Sequence, residues 1–573
     1  MDCREMIVSE DFFSVILDFR LPQQYFPSQG EDFCYQPIDA ARGVYYIRRN
    51  EESPLFYAQY LDRYIPQLYG LESFPGAGGR EFDPQPLEVS GILTQQRGPL
   101  SLTGRGVIIA VIDTGISYES PVFRYSDGSS RILAIWDQAD QSGEPPEGFA
   151  YGTLYTQQQI NEALEGESPL SVVPTRDEIG HGSALASVAA GSALEEGIFF
   201  TGAAPDVQLV VVKLKEAKQS LRDYYLVSEG VPAYAADDLM FGVKFAQQFA
   251  VPFLQPVVIV TGLGSSLGGH SGTSIPSEYL QSVAQQLSCA LAVGGGNEGN
   301  AAGHFRAALI QEPTWAELRV GENVRGFVAE LWGTEPARFR ISIRSPGGEV
   351  IPEADFRVNR EVDYTFVYEK TRVRISSRRF ERNEREAPVV IRVEAPTPGV
   401  WGISVRGVTG QPDTNFDIWL LMRQFIDGEV AFLTPTPEVT LTQPAYVADA
   451  VTVSGYDSRN GSFYYNSGQG FSRQQRLIKP DLCAPAVSVS TLRGPYTGSA
   501  MAAAITAGAC AQLFQWAVVE KNAPFTAGAQ IRDYLKNGAA KSASIAYPSR
   551  QWGFGRLDMT GTFDVIAGRA EGS

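Results

Sequence analysis

The chain has 573 residues, of which 44% are hydrophobic and 20% charged, which is globular usage on a scale that predicts two to four domains around sizeable cores. A formal charge of −18 argues against nucleic acid or an anionic membrane as the main partner, since both reward clustered Lys and Arg. No apolar run is read as a membrane span, and five scattered cysteines without CxxC or CxxH spacing predict buried thiols in a reducing compartment rather than a disulfide framework or a zinc site.

The opening "MDCREMIVSEDFFSVILDFR" carries acidic residues where a secretory signal would be basic and lacks a sustained apolar core, so Sec export is not expected. Residues 1–85 read as a small α/β unit. "FSVILDFR" and "GVYYIRR" are strand-like, "SPLFYAQYLDRYIPQLYG" repeats at helical intervals, and "FPGAGGREFDPQP" (74–86) has the Gly and Pro density of a linker.

From residue 86 the texture alternates. "GVIIAVIDTG", "VQLVVVKLK", "VVIVTGLG" and "CALAVGGGN" are continuous apolar runs suited to parallel strands buried on both faces. "DDLMFGVKFAQQFA" and "SEYLQSVAQQLSC" are amphipathic helices between them, so this is a doubly wound α/β domain. Residues 305–445 break the pattern with short alternating segments and Gly/Pro turns, the signature of an antiparallel sandwich or jelly roll, and the α/β texture resumes over 446–573 with "AVTVSGYD". The expected layout is therefore an amino-terminal unit (1–85), an α/β domain in two parts (86–304 and 446–573) and an inserted all-β domain. Within the insert, "TRVRISSRRFERNERE" (371–386) reads as a solvated strand face and turn.

Four glycine-flanked polar positions carry chemistry. Asp113 lies at the carboxyl end of a buried strand in "AVIDTG", the end of an open α/β sheet where catalytic groups gather. His181, one of only three histidines, opens a small-residue helix in "RDEIGHGSALASVAAG". Asn297 in "GGGNEGN" can present an amide donor at a strand end, and "GSAMAAAITAGACA" begins another small-residue helix, whose first N–H groups favour developing negative charge. Asp113 could instead cap a helix and His181 could be a satisfied structural histidine.

The order Asp, His, Asn and a G-x-x-M-A helix resembles the subtilases, the subtilisin-like serine proteases, through "VIDTGI", "GHGSALASVAAG", "GGGNEGN", "KPDLCAPAVSV" and "GSAMAAAITAGACA". The resemblance implies a buried carboxylate (Asp113) that orients and stabilises a general base (His181), and an oxyanion donor (Asn297). It also implies a peptide-binding edge in "TGLGSSLGGHSG", with Leu263, Gly264, Ser265, Gly295 and Gly296 as substrate-binding positions. Registered on Met501, the family's nucleophilic serine falls on Ala500, which has no hydroxyl. Ser499 is one residue out of place, about 100° around the helix. Two readings stay open: a precursor inactivated by a Ser→Ala replacement, favoured by the intact Asp113, His181 and Asn297 motifs, and a natural pseudoprotease acting as a binding or regulatory protein.

Within the subtilases, the amino-terminal unit, the large β insert and segments such as "SLTGRGVIIAVIDTGI", "YGTLYTQQQIN" and "VVPTRDEIGHG" resemble the clostridial germination-associated Csp proteases. That likeness implies a jelly-roll insert, a prodomain that chaperones folding and stays bound in the cleft after self-cleavage, a protein or peptide substrate, and a cytoplasmic or spore-associated location. Self-cleavage is expected between about Phe74 and Pro86. No cofactor is implied. Calcium is common in subtilases, but no acidic loop here can be assigned to it.

Overall fold

The computed structural model describes residues 1–18, 30–49, 65–76, 82–195, 198–333, 338–356, 360–377, 388–408 and 414–569. Its centre is a nine-stranded sheet. Six strands run parallel side by side, in the spatial order Val451–Asp457, Cys289–Gly294, Val257–Thr261, Ile108–Asp113, Gln208–Lys213 and Ile132–Asp137. Leu482–Pro485 adds a seventh parallel strand beside Val451–Asp457, and Thr153–Thr156 and Ser462–Phe463 close the sheet as antiparallel edges. Every residue of Ile108–Asp113, Ile132–Asp137, Val257–Thr261 and Cys289–Gly294 is buried, as their unbroken apolar sequences require when both faces are covered.

One face is covered by two helices of small residues, His181–Ala190 and Ser499–Phe514, which share a core with alternate residues of the strands, among them Ile109, Val111, Val258 and Ala292. All 16 residues of Ser499–Phe514 are buried, and alanine and glycine let it lie close to the sheet. Together with a π-helical continuation to Val519 it has the length and apolarity of a membrane span, contrary to the reading from sequence, but 83% of its most apolar 18 residues is buried inside the protein. Helices Ala236–Ala250 and Ile275–Ala284 cover the opposite face.

Residues 304–432 form two antiparallel sheets, one of six strands from His304–Leu309 to Thr414–Leu420 and one of five that includes Phe339–Arg344, Gly399–Gly407 and Val430–Phe432. Their inner faces meet in one core holding Leu331, Ile375 and Ile391 from the first sheet and Ile341, Trp401 and Ile403 from the second. Arg372 and Arg374 lie on an outer face paired with Asp363, while 378–386 falls outside the described residues. At the join with the α/β part, Trp419 is stacked between His270 and His304, with ring centroids 4.1 and 4.5 Å away.

The amino-terminal unit is a short helix, Cys3–Val8, on a three-stranded antiparallel sheet (Phe12–Asp18, Arg42–Arg48, Phe33–Pro37). Phe12, Ile16, Val44 and Tyr46 pack into the core beneath helix Ala236–Ala250. Two expectations are corrected here. Cys3 and Cys34 form a disulfide, leaving Cys289, Cys483 and Cys510 as buried thiols whose pKa burial pushes up to about 12. The helical periodicity expected over 53–70 falls largely outside the described residues, and its end, Leu68–Leu71, is a strand. Extended pairing with two neighbours overrides local periodicity there.

The buried Lys218 ammonium donates to the carbonyls of Met6, Ser9 and Phe12 at 3.3, 2.8 and 2.8 Å, tying the amino-terminal unit to the α/β domain. Lys218→Met keeps the apolar stem and strands those acceptors, so it should lower stability by about 1–3 kcal/mol in urea denaturation. A variant as stable as the parent would show that these bonds do not hold the unit down.

Candidate active site

Three adjacent parallel strands bring the site together at their carboxyl ends. Ile108–Asp113 ends on Asp113, Val257–Thr261 runs into Gly262, and Cys289–Gly294 runs into the turn that carries Asn297. Helix His181–Ala190 supplies the histidine from its first residue, and helix Ser499–Phe514 supplies position 500 from its second.

Asp113 and His181 are fully buried, and His181 Nδ1 lies 2.6 Å from Asp113 Oδ1. That oxygen also accepts from the Thr114 N–H at 2.8 Å, and Asp113 Oδ2 accepts from the Gly262 N–H at 3.1 Å. A Cβ at Gly262 would stand 2.6 Å from His181 Cε1, 2.9 Å from Asp113 Oδ2 and 3.0 Å from Ala500 Cβ, so this backbone can approach the three side chains only as glycine. Burial pulls the imidazole pKa down, but the Asp113 carboxylate, with lesser help from Asp177 and Glu72, outweighs it and leaves His181 above its usual 6.5.

Asp177, which the sequence reading did not single out, fixes the histidine helix. It accepts from Thr114 Oγ1 (2.7 Å), the Gly180 N–H (2.7 Å), the Ser183 N–H (2.7 Å) and Ser183 Oγ (2.6 Å). Its available signal is an aspartate shortly before a helix start, the usual place for a residue that satisfies free N–H groups.

The cleft is filled by the protein's own chain. Leu68–Leu71 forms the middle strand of a three-stranded antiparallel sheet, with Leu71 opposite Leu263, Gly70 opposite Gly264 and Tyr69 opposite Tyr234. Beyond the site, Phe74 and Pro75 pair with Thr497 and Tyr496. Between the two strands the Glu72 N–H donates to the Gly262 carbonyl at 2.8 Å, and the Glu72 carbonyl accepts from Asn297 Nδ2 at 2.7 Å and from the Ala500 N–H at 3.1 Å. Ser73 Oγ lies 2.8 Å from His181 Nε2. The peptide bond presented to Asp113, His181, Asn297 and position 500 is therefore Glu72–Ser73, which lies before the 74–86 stretch expected to hold the cut.

Leu263 and Gly264 thus face the bound segment. Ser265 does not: its backbone exchanges hydrogen bonds with Gln443 at 3.0 and 2.7 Å. The Gly295 N–H is taken up by Val453 O (2.8 Å), and the Gly296 N–H donates to Ser499 Oγ (3.0 Å), so these two stand one layer behind the segment. Ser499 Oγ in turn donates to Glu72 Oε2 at 3.1 Å, and its own N–H donates to Asn297 Oδ1 at 3.0 Å. Gln424, just after the six-stranded sheet, reaches back to the Leu71 carbonyl at 2.9 Å. Among the described residues no group of three or more His, Cys, Asp or Glu could hold a metal ion.

The sequence profile of the subtilase family matches residues 104–240, which hold Asp113, Asp177 and His181, and 434–555, which hold Ser499 and Ala500, on either side of the paired antiparallel sheets. The chain is 28% identical to the CspB protease of Clostridium perfringens, with 85% of this chain and 100% of that one covered and a TM-score of 0.75. It is also 29% identical over 133 residues to the subtilisin-like protease SBT1.9 of Arabidopsis thaliana, a match that spans 20% of this chain and 17% of the plant protein.

The Asp113 contact predicts a raised His181 pKa. In Asp113→Asn the imidazole, followed by NMR, should titrate at lower pH than in the parent, and an unmoved titration would remove Asp113 as its electrostatic partner. Asp177→Ala removes the acceptor of four hydrogen bonds, of whose donors Ser183 Oγ keeps a second acceptor in Ser117 Oγ, and should lower the thermal midpoint, at a cost of about 1–3 kcal/mol for each group left buried without a partner.

Proposed function

The chain belongs to the subtilase family, and on that premise we propose that it is built as a subtilisin-type serine endopeptidase whose own Glu72–Ser73 bond is its first substrate, held here as an uncut precursor because position 500 is alanine. The observation that carries this reading is the Glu72 carbonyl, which accepts from Asn297 Nδ2 and from the residue 500 N–H while the next residue contacts His181. A main-chain carbonyl so held is where a tetrahedral oxyanion would form. Residues 1–72 are then the prodomain, whose last strand lies in the cleft as a peptide substrate would.

With serine at position 500 the steps follow from the geometry. Its Oγ attacks the Glu72 carbonyl carbon as His181 Nε2 takes the hydroxyl proton, and Asp113 stabilises the imidazolium at Nδ1. Negative charge on the carbonyl oxygen is held by the two N–H donors, and His181 returns the proton to the leaving amine of Ser73. Water then hydrolyses the acyl-enzyme by the reverse proton route. In the chain as it stands there is no hydroxyl at position 500, and the Ser73 hydroxyl occupies His181 Nε2.

A second reading, a pseudoprotease that binds a partner rather than cutting it, is favoured by Ala500 itself and by a cleft already occupied. The native codon for residue 500 separates the two.

Ala500→Ser should convert the purified chain into two fragments, with intact mass placing the break after Glu72. A chain that stays full length would contradict the proposal. In the serine background, Asn297→Ala should slow this processing about 100- to 1,000-fold, the loss expected for one oxyanion donor. Unchanged processing would take that role from Asn297.

A further inference from the structure

The Glu72 side chain enters a pocket of its own, 1% exposed, and its carboxyl meets hydroxyls rather than a cation. Thr442 Oγ1 donates to Oε1 and Ser499 Oγ to Oε2. Both residues are fully buried. The floor is glycine: a Cβ on Gly264 would collide with Glu72 Oε1, and one on Gly294 would stand 2.6 Å from Oε2. Among the described residues no Lys or Arg pairs with this carboxyl. The groups that act on it electrostatically are Glu298, from the turn behind Asn297, and His181, beyond Ser73, while Tyr69 lies on its own strand.

A carboxylate placed there would be desolvated with two hydroxyl donors and no paired cation, which is less favourable than burying a neutral group of the same shape. The pocket is shaped and wired for a side chain of glutamate length that ends in a neutral polar group. We infer that it is a specificity pocket for an uncharged glutamic acid or a glutamine at the residue before the cut, with Thr442 and Ser499 as the specificity-determining side chains. Burial agrees with this, raising the Glu72 pKa to about 7 against the opposing pull of the Thr442 and Ser499 hydrogen bonds. Lysine and arginine are excluded because two hydroxyls at the end of a glycine-walled slot offer a cation no countercharge, and apolar residues because they would leave both hydroxyl protons without the acceptors Glu72 supplies. A glutamine keeps the same length and stays neutral at every pH, its carbonyl accepting from one hydroxyl and its NH2 donating to the other.

This inference rests on the proposed reading of Glu72–Ser73, so its test has one arm that needs no catalysis. In the Ala500 chain, a carboxyl whose pKa is about 7 when folded and near 4.5 when unfolded contributes stability below pH 4.5 that is lost as pH rises toward 7. Compared with Glu72→Gln over pH 4.5 to 8.5, the parent should therefore lose thermal midpoint progressively up to about pH 7 and then run parallel to the variant. Curves parallel throughout would overturn the neutral-pocket inference. In the second arm, the Ala500→Ser chain digests peptides that differ only in the residue before the cut. Glutamine should be cut best at all pH values, glutamic acid should fall about tenfold relative to glutamine for each pH unit above 7, and lysine and leucine should be poor. Thr442→Val, which exchanges a hydroxyl for a methyl of similar size, should narrow the advantage of glutamine over leucine at least tenfold, chiefly through KM. Equal cutting of leucine and glutamine by the Ala500→Ser chain would overturn the inference. If no peptide is cut at all, the proteolytic reading fails and the stability arm still decides the pocket.

Discussion

The carbonyl oxygen of Glu72 takes two hydrogen bonds, one from the Asn297 amide and one from the N–H of residue 500, and the rest of the cleft is arranged around that contact. Those donors come from different elements, the turn after strand Cys289–Gly294 and the first turn of helix Ser499–Phe514. They converge only because the helix lies against the sheet that carries the turn. This explains the texture of the helix, whose alanines and glycine permit the approach. Asn297 links the two further, since its Oδ1 accepts from the Ser499 N–H while its Nδ2 donates to Glu72. On the proposed mechanism these donors cost nothing to orient at the moment of reaction, because packing has already fixed them.

The same logic orders the other side of the site. Asp113 holds His181 from below, Asp177 holds the start of the histidine helix, and Gly262 lets the neighbouring strand donate to Asp113 without touching the imidazole. Asp113 and His181 sit at the ends of rigid elements, and Asp177, in the connection before the helix, is fixed by the four hydrogen bonds it accepts. The bound segment is held mainly through its backbone on both sides of Glu72, while Glu72 itself is the residue whose side chain meets a closed, polar pocket. Backbone pairing supplies affinity that tolerates sequence change, and the pocket supplies discrimination.

Much of this was legible in the chain. The run "VIIAVID" could only be a strand buried on both faces, and the glycines flanking His181 and Asn297 marked backbone that must come close to something. Single-residue register on Met501 located position 500. Other features were hidden for physical reasons. Residues 68–75 have no strand pattern strong enough to compete with the aromatic periodicity before them, because their extended form is imposed by strands at 234–235, 263–264 and 496–497. Thr442 lies 370 residues from Glu72, and nothing local marks it as a pocket residue. The pairing of Cys3 with Cys34 depends on how helix Cys3–Val8 folds back over its sheet, which spacing alone does not reveal. Ser265 lies beside two residues that face the segment, yet an isolated bridge to Gln443 takes its backbone away.

The central claim is that residues 68–75 occupy the cleft as an extended, substrate-like strand. Hydrogen exchange of the intact Ala500 chain, read by mass spectrometry on peptides covering this segment, tests it directly. The account predicts protection of Tyr69, Leu71 and Glu72 amides comparable to that of the central strand Val257–Thr261. Exchange of those amides at the rate of an unstructured peptide, while the central strand stays protected, would contradict it.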